Sequence, residues 1–507
     1  MKKLCIVMQS QYAKIGHAFA VHLKERYGVA EFSAYVFSLG AAEFLRGQRD
    51  IAYAPMLVDH ELHEGLNAGP TDREYIARFE ETYGPDAHGP NLWQYLWCDR
   101  KLMMSMGPKE ETTTVLDPLY DHDRLMRAFQ VRAKAIEAML KNDRPDALFF
   151  FAIGTLGHRI LYHVAQTLGI PCYNIDFPRV ANRMCISKDY RTLSTVEDAF
   201  RTFQKENIQT PFHDEAKKLL DQFRTTGSLN LQYMDIAVGV LPKKGQLFNP
   251  EKFKRSVSYL ITLSKNYWKN RRLFVYGMTD ANPIRFIGHK IKQRYRMMRG
   301  VEDLYTPTDW SENFAYFPLH YEPELSILLL SPFYFDQIEL IKYIARSLPL
   351  EYKLYVKEHP AMVSKRARSY YKKLLKIPNV RLIHHKTPGF EILKHAKLVT
   401  AITGTTGWEA GLVGVPVVSF GEVFYNALSF VKRVHNIEEL PQVIRQQLFH
   451  FHYDEKEMAD FVAAVLAESV PFDFSKLWYE NDIPKLKENA GLQTFAALMM
   501  RHARKTG

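Results

Sequence analysis

The 507-residue chain has little cysteine and no cysteine pattern. Its four cysteines, Cys5, Cys98, Cys172 and Cys185, stand apart without CxxC or CxxH spacing. That argues against a disulfide framework or a zinc site and for reduced thiols in a cytoplasmic protein. The 19 histidines make no HExxH or other ligand spacing, so metal catalysis has no motif behind it and no metal or cofactor is expected. Long apolar runs are missing as well. The richest, "ALFFFAIG" from 147 to 154, is far short of the roughly 20 residues that cross a bilayer. At the start, "MKKLCIVMQSQYAKIGHAF" offers five apolar residues before polar ones intervene, too few for a secretory signal. Low-complexity tracts and internal repeats are absent too. The expected location is cytoplasmic, with the inner face of a membrane as a peripheral site.

Acidic residues are missing from one segment in particular. Between Lys252 and Gly300 there are thirteen Lys or Arg and one acid, Asp280, so this stretch carries essentially all of the chain's net charge of +11. Its densest part, "RFIGHKIKQRYRMMRG" (285 to 300), places Phe286, Ile287, Ile291, Tyr295, Met297 and Met298 between the charges. Such a pattern suits either a solvated helical face or a basic amphipathic helix at an anionic membrane or acceptor. No nucleic-acid motif accompanies it, and no nucleic-acid partner is expected.

What is present is a soluble α/β pattern, 47% hydrophobic and 24% charged, in a chain too long for one core. A strand "LCIVMQ" and the succession "ALFFFAIG", "GTLGH", "RILYHVAQTLGI", "PCYNID" form a βαβ pattern with continuous apolar strands, placing an N-terminal α/β domain at 1–185. Residues 186–312 lack the alternation and read as a helical, basic insertion or bridge, broken by "LPKKGQLFNP" and "MTDANP". Alternation resumes at "NFAYFPLHYEPE" and continues to "VPVVSFG", giving a second α/β domain at 313–470, followed by a helical tail at 471–507. The expected fold is two doubly wound Rossmann-type domains facing a cleft, with ligands beyond the carboxyl ends of the strands.

That rule selects a few loops. In "AITGTTGWEAG", Thr403, Gly404, Thr405, Thr406 and Gly407 lie between a strand and a helix. Their N–H groups could cradle a phosphate, and Glu409 could accept from ribose hydroxyls. The structural alternative is a turn capped by Thr405 or Thr406, with Glu409 completing a capping box. This loop is neither a Walker loop nor GxGxxG, so neither a kinase nor a dehydrogenase is indicated. In "VKEHP", Lys357, Glu358, His359 and Pro360 end another strand and offer donors to an anion. "YFPLHYEPE" adds His320 and the carboxylates Glu322 and Glu324, candidates for base or nucleophile. In the first half, "GTLGH" brings Gly154, Thr155, Gly157 and His158, and "QSQYAKIGHA" brings Ser10, Lys14, Gly16 and His17. Either loop could hold an acceptor or supply a catalytic base, with His17 and His158 as the candidates, or simply start a helix.

The set "YFPLHYEPE", "YVKEHP" and "NVRLIHHKTPGFEILKHAKLVTAITGTTGWEAGLVGVPVVSFGEVFY" resembles the capsule polysaccharide biosynthesis family. These are GT-B-type bacterial glycosyltransferases that include enzymes transferring Kdo from CMP-Kdo. The resemblance is close over about 110 residues and looser over "YGPDAHGPNLWQYLWCDR" and "PDALFFFAIGTLGHRILYHVAQTLGIPCYNID". It implies a metal-independent transferase with a nucleotide-sugar donor and a glycan or lipid-linked acceptor. His359, Pro360 and Thr403 to Glu409 would hold the nucleotide, and Glu322 to Glu324 would lie near the donor. Two positions depart from the family pattern: Glu322 stands where glutamine is usual, and Gly411 where leucine is commoner. A nucleotide-sugar 2-epimerase on the same scaffold and a non-catalytic capsule-assembly protein are the alternatives.

Overall fold

The computed structural model describes residues 1–9, 11–62, 65, 69–84, 91–103, 121–229, 250–269, 283–322 and 324–506. Ser10, Pro323 and the breaks at 241–249 and 278–282 lie outside the described residues.

Two sheets organise the chain. The first contains β1 (Lys3–Met8), β2 (Glu31–Val36), β3 (Tyr53–Val58), β4 (Ala147–Phe150), β5 (Cys172–Asp176) and β6 (Arg183–Ser187), with β13 (Ser469–Pro471) arriving from the far end of the sequence. Its order is β13-β6-β5-β4-β1-β2-β3. Strands β1 to β5 run parallel, whereas β6 and β13 pair antiparallel. The second sheet contains β7 (Phe314–Pro318), β8 (Lys353–Lys357), β9 (Val380–Ile383), β10 (Leu398–Ala401), β11 (Val417–Ser419) and β12 (Val431–Arg433). All its pairings are parallel, in the order β12-β11-β10-β7-β8-β9. Counted within each half, both sheets put the fourth strand beside the first, the reversal that makes a doubly wound fold. The fold class expected from the sequence is thus the one observed.

The continuous apolar strands are explained by burial on both faces. In β1, Leu4, Ile6 and Met8 enter one core while Cys5 and Val7 enter another. In β7, Phe314 and Tyr316 face one core and Ala315 and Phe317 its opposite. All four cysteines are buried free thiols. Among the described residues no helix is long and apolar enough to cross a membrane.

The segments outside the alternation are distributed differently from a bridge and a tail. Helices Ser194–Glu206 and Pro211–Thr226 pack on helix Glu455–Ala467, with the Phe200 and Phe461 rings edge to face at 5.2 Å, inside the core beneath the second sheet. The chain then returns. β13 pairs with β6, and helix Ala490–Thr506 buries Leu492, Phe495 and Met499 against Phe19 and Phe149 of the first half. Each such side chain removed from water contributes roughly 1.5–3 kcal/mol. The basic helices Pro250–Lys269 and Pro283–Arg299 stand apart from both cores and pack on each other.

Candidate active site

The strand reversal in the second sheet lies between β7 and β10, and the loops after those strands are bound together there. His320, two residues beyond β7, is buried. Its backbone N–H donates to Gln337 Oε1 at 2.7 Å, and its Nε2 accepts the Ile402 N–H at 3.2 Å. With Nε2 accepting, the ring proton sits on Nδ1. Burial, with His359 and Arg366 close by, pushes this imidazole down to about 3. Gly404 passes directly over the ring, so a Cβ there would lie 2.8 Å from His320 Cε1. Only glycine allows that approach.

Helix Thr405–Leu412 starts at Gly404 with no side chain capping it. The capping turn considered as the structural alternative is therefore not formed. Gly407 N–H turns back to the Gly404 carbonyl at 3.3 Å, and the N–H groups before it lie at the positive end of the helix dipole. Neighbours hold the turn from behind. Tyr425 donates its hydroxyl to the Gly404 carbonyl at 3.0 Å, and a Cβ at Gly407 would be 2.6 Å from that hydroxyl. The buried Trp408 indole N–H donates to the Arg179 carbonyl of the first half at 3.1 Å.

Three polar side chains around these strand ends act on one another: Lys357 on Glu409 and His359, and His359 on His320. Lys357, the last residue of β8, donates to the Thr387 carbonyl at 3.0 Å. Burial lowers its pKa, while the Glu409 carboxylate pulls it back. Burial raises the Glu409 carboxyl in turn, opposed by Lys357. His359 accepts the Ala361 N–H on Nδ1 at 3.1 Å, which leaves the proton on Nε2. Burial, then the cations Arg366, Lys365 and Lys357, push His359 down to about 4. At neutral pH it is an uncharged ring with one N–H to donate.

The other expected residues are placed differently. Glu358 and Glu322 are buried and belong to the frame, not to an open site. Arg366 pairs with both carboxylates, reaching Glu322 Oε2 at 3.1 Å, and donates to the His320 carbonyl at 2.7 Å. Tyr371 donates to Glu358 Oε2 at 2.6 Å, and Gln337 donates to Glu322. His17 is fully buried in mid-helix, 3.1 Å from the Tyr53 hydroxyl. Tyr53 begins β3, so His17 lies toward the amino ends of the strands, opposite the edge where a ligand would sit. His158 is buried edge to face against Tyr35 at 5.7 Å. The "GTLGH" turn before it is already capped: Leu156 N–H donates to Asp99 Oδ2 at 2.8 Å and His158 N–H to Thr155 Oγ1 at 3.3 Å.

Glu324 lies where the halves meet. The Cβ that Gly154 lacks would stand 2.7 Å from Leu325 Cδ2, so the two carboxyl edges touch. Burial raises the Glu324 carboxyl, opposed by a hydrogen bond with Ser326 and by Arg179 and Arg100 of the first half. Arg179 also acts on Asp176, the last residue of β5, whose carboxyl is pushed up to about 6 by burial. Sequence reasoning missed Arg366, Asp176 and Arg179. The only available signal was Asp176, an acid ending an apolar strand. Among the described residues no group of three or more His, Cys, Asp or Glu side chains could hold a metal ion.

Residues 311–450, which span the whole second sheet, match the sequence model of the family described as capsule polysaccharide biosynthesis protein. No curated protein matches the chain. Among solved structures, KpsC β-Kdo 2,4 transferase of Thermosulfurimonas dismutans aligns at 13% identity over 68% of this chain and 87% of that one, with a TM-score of 0.36. The KpsC β-Kdo 2,7 transferase of the same organism aligns at 13% identity over 66% and 81%, TM-score 0.31. A UDP-GlcNAc 2-epimerase of Neisseria meningitidis bound to UDP-GlcNAc aligns at 13% identity over 92% and 99%, TM-score 0.25.

Proposed function

With a capsule polysaccharide biosynthesis region at residues 311–450 as premise, we propose that the protein is a glycosyltransferase. It moves a sugar from a CMP- or UDP-linked donor, CMP-Kdo among them, to a glycan or lipid-linked acceptor of a surface polysaccharide. The observation that carries this reading is the uncapped helix start at Gly404, set at the strand reversal with Lys357, His359 and Glu409 around it. A doubly wound sheet binds its ligand at that reversal, and a helix start without a side-chain cap suits a phosphate.

In this mechanism the N–H groups of 403–406 and the Lys357 ammonium hold the donor phosphate. His359 Nε2–H donates to a phosphate oxygen, and Glu409 accepts from the ribose. These donors are in place before the glycosidic bond breaks, and they stabilise the charge that gathers on the departing nucleotide phosphate. The scheme requires no divalent ion. From the first half, Asp176 takes the proton of the acceptor hydroxyl. A carboxylate poised near 6 is largely ionised at neutral pH yet basic enough for that transfer. Arg179 and Arg100 favour the charged form of Glu324 against the burial that raises its pKa. The reaction belongs in the cytoplasm, where nucleotide sugars are made.

The test is a titration of CMP, UDP and their sugars, read as thermal stabilisation. A hundredfold excess over Kd should add about 2.7 kcal/mol. The responding donor is then incubated with and without glycan acceptors. Donor consumed only when an acceptor is present supports transfer. Free sugar or an epimer released without an acceptor would instead identify an epimerase. No nucleotide response would leave a non-catalytic assembly protein.

A further inference from the structure

The basic helix Pro283–Arg299 presents its apolar residues outward. Ile284, Ile287, Ile291, Tyr295 and Met298 are between 42 and 79% exposed. At 100° per residue these five positions fall within an arc of about 80°. The cations are sorted around that stripe. Lys290 and Arg294 lie along one border and Lys292 and Arg299 along the other, all exposed, and the helix contains no acid. Its neighbour Pro250–Lys269 also turns apolar side chains to the surface, with Val257, Ile261 and Trp268 on one face and 43 to 66% exposed. A solvated helical face has no reason to line up large apolar side chains in water, and a core helix would bury them.

The helix is also held in place. Arg296 donates to the Lys365 carbonyl at 2.5 Å, just before the Arg366 that braces His320. Between this helix and the 360–372 segment lies an open groove of about 1180 Å³, walled by Ile291, Lys292, Tyr295 and Arg299 on one side and Val363 and Tyr371 on the other, while Ile284, Ile287, Lys290, Arg294 and Met298 lie outside it. Lys372 and Lys386 lie at the same groove.

We infer that the helix pair 250–269 and 283–299 is a docking surface for an anionic lipid bilayer. The helices lie in the plane of the headgroups with the stripe inserted, and Lys290 and Arg294, on the border away from the groove, reach lipid phosphates. Apolar residues bordered on both sides by Lys and Arg fit that environment. Charge complementarity selects an anionic over a zwitterionic surface. Docking would set the edge of the second sheet at a fixed height above the membrane, within reach of a membrane-held acceptor. This inference stands without the donor assignment.

The test is flotation of the full chain with phosphatidylcholine vesicles, with and without phosphatidylglycerol. The wild type should float with the anionic vesicles, at least tenfold less with phosphatidylcholine alone, and be released by high salt. I291E/M298E should lose flotation tenfold or more, and K290E/R294E should lose the preference for anionic lipid. Both variants should keep the wild-type melting temperature, which separates lost docking from misfolding. Wild type that stays with the protein fraction, or a stripe variant that floats undiminished, overturns the inference. So does a stripe that instead governs concentration-dependent self-association or binding to RNA.

Discussion

Two glycine-containing turns, one in each half, look alike in sequence and are built for opposite ends. "GTLGH" and "TGTTG" each follow a buried parallel strand and start a helix. In the first, Asp99 and Thr155 already occupy the helix start, and Gly157 is glycine because Tyr35 presses against it. In the second no side chain caps the helix, and the surroundings push from behind: His320 beneath Gly404, Tyr425 against Gly407. A helix start that satisfies its own N–H groups is finished as structure. One that is held rigid yet left uncapped keeps its donors for something that is not part of the chain.

The comparison can be broken hardest at its support. Arg366→Met leaves Glu322 and Glu358 buried without their cation, and the second turn loses its brace. Unfolding free energy in urea should fall by about 3–5 kcal/mol, with nucleotide response lost as well. A pH effect of comparable size is centred on the second turn. His320 and His359 have folded values near 3 and 4 against an ordinary 6.5. The unfolded chain takes up protons below about 6.5 that the folded one refuses. Stability should therefore be full above 6.5 and fall as pH drops toward 4. The slope approaches about 1.4 kcal/mol per pH unit for each ring. Denaturant midpoints across that range check the sign, and His359→Gln should make the slope shallower.

His359→Ala separates binding from folding. Nucleotide affinity measured by calorimetry should weaken by about 1.5–3 kcal/mol, as for a lost hydrogen bond to a charged group, while the melting temperature stays close to wild type. Asp99→Ala is the mirror test at the first turn. Losing that cap should cost about 1 kcal/mol of stability, with nucleotide affinity unchanged. If Asp99→Ala weakens nucleotide binding as much as His359→Ala, the two turns are not different in kind.

Much of the fold was legible because it is local. The second half alternates strand and helix with short connections, and its strands are apolar on both faces, so periodicity and length were enough. "KEHP" and "TGTTG" could be found because strand ends mark the ligand edge of such a sheet. What escaped was long-range. Arg366 sits in the run "SKRARS", which reads as solvated charge until the fold drives it between two carboxylates 44 and 8 residues away in sequence. Glu322 and Glu358 were over-read for the same reason, since an acid beside a strand end looks available until its partner is known. The three residues of β13 carry no signal that they belong to a sheet begun at Lys3.

That returning strand has a consequence for the order of manufacture. The first half is translated first, yet its outer strand and covering helix follow only after the whole second sheet. Until they arrive, the nascent protein exposes the β6 edge and the apolar surface that Phe495 and Met499 will cover. Domains usually fold as units while they are being made, and exposed strand edges invite wrong pairing in the interval. Here completion is deferred until the second sheet has been made. Ribosomes stalled shortly before residue 469 should therefore hold a first half that is collapsed, protease-sensitive and in need of a chaperone.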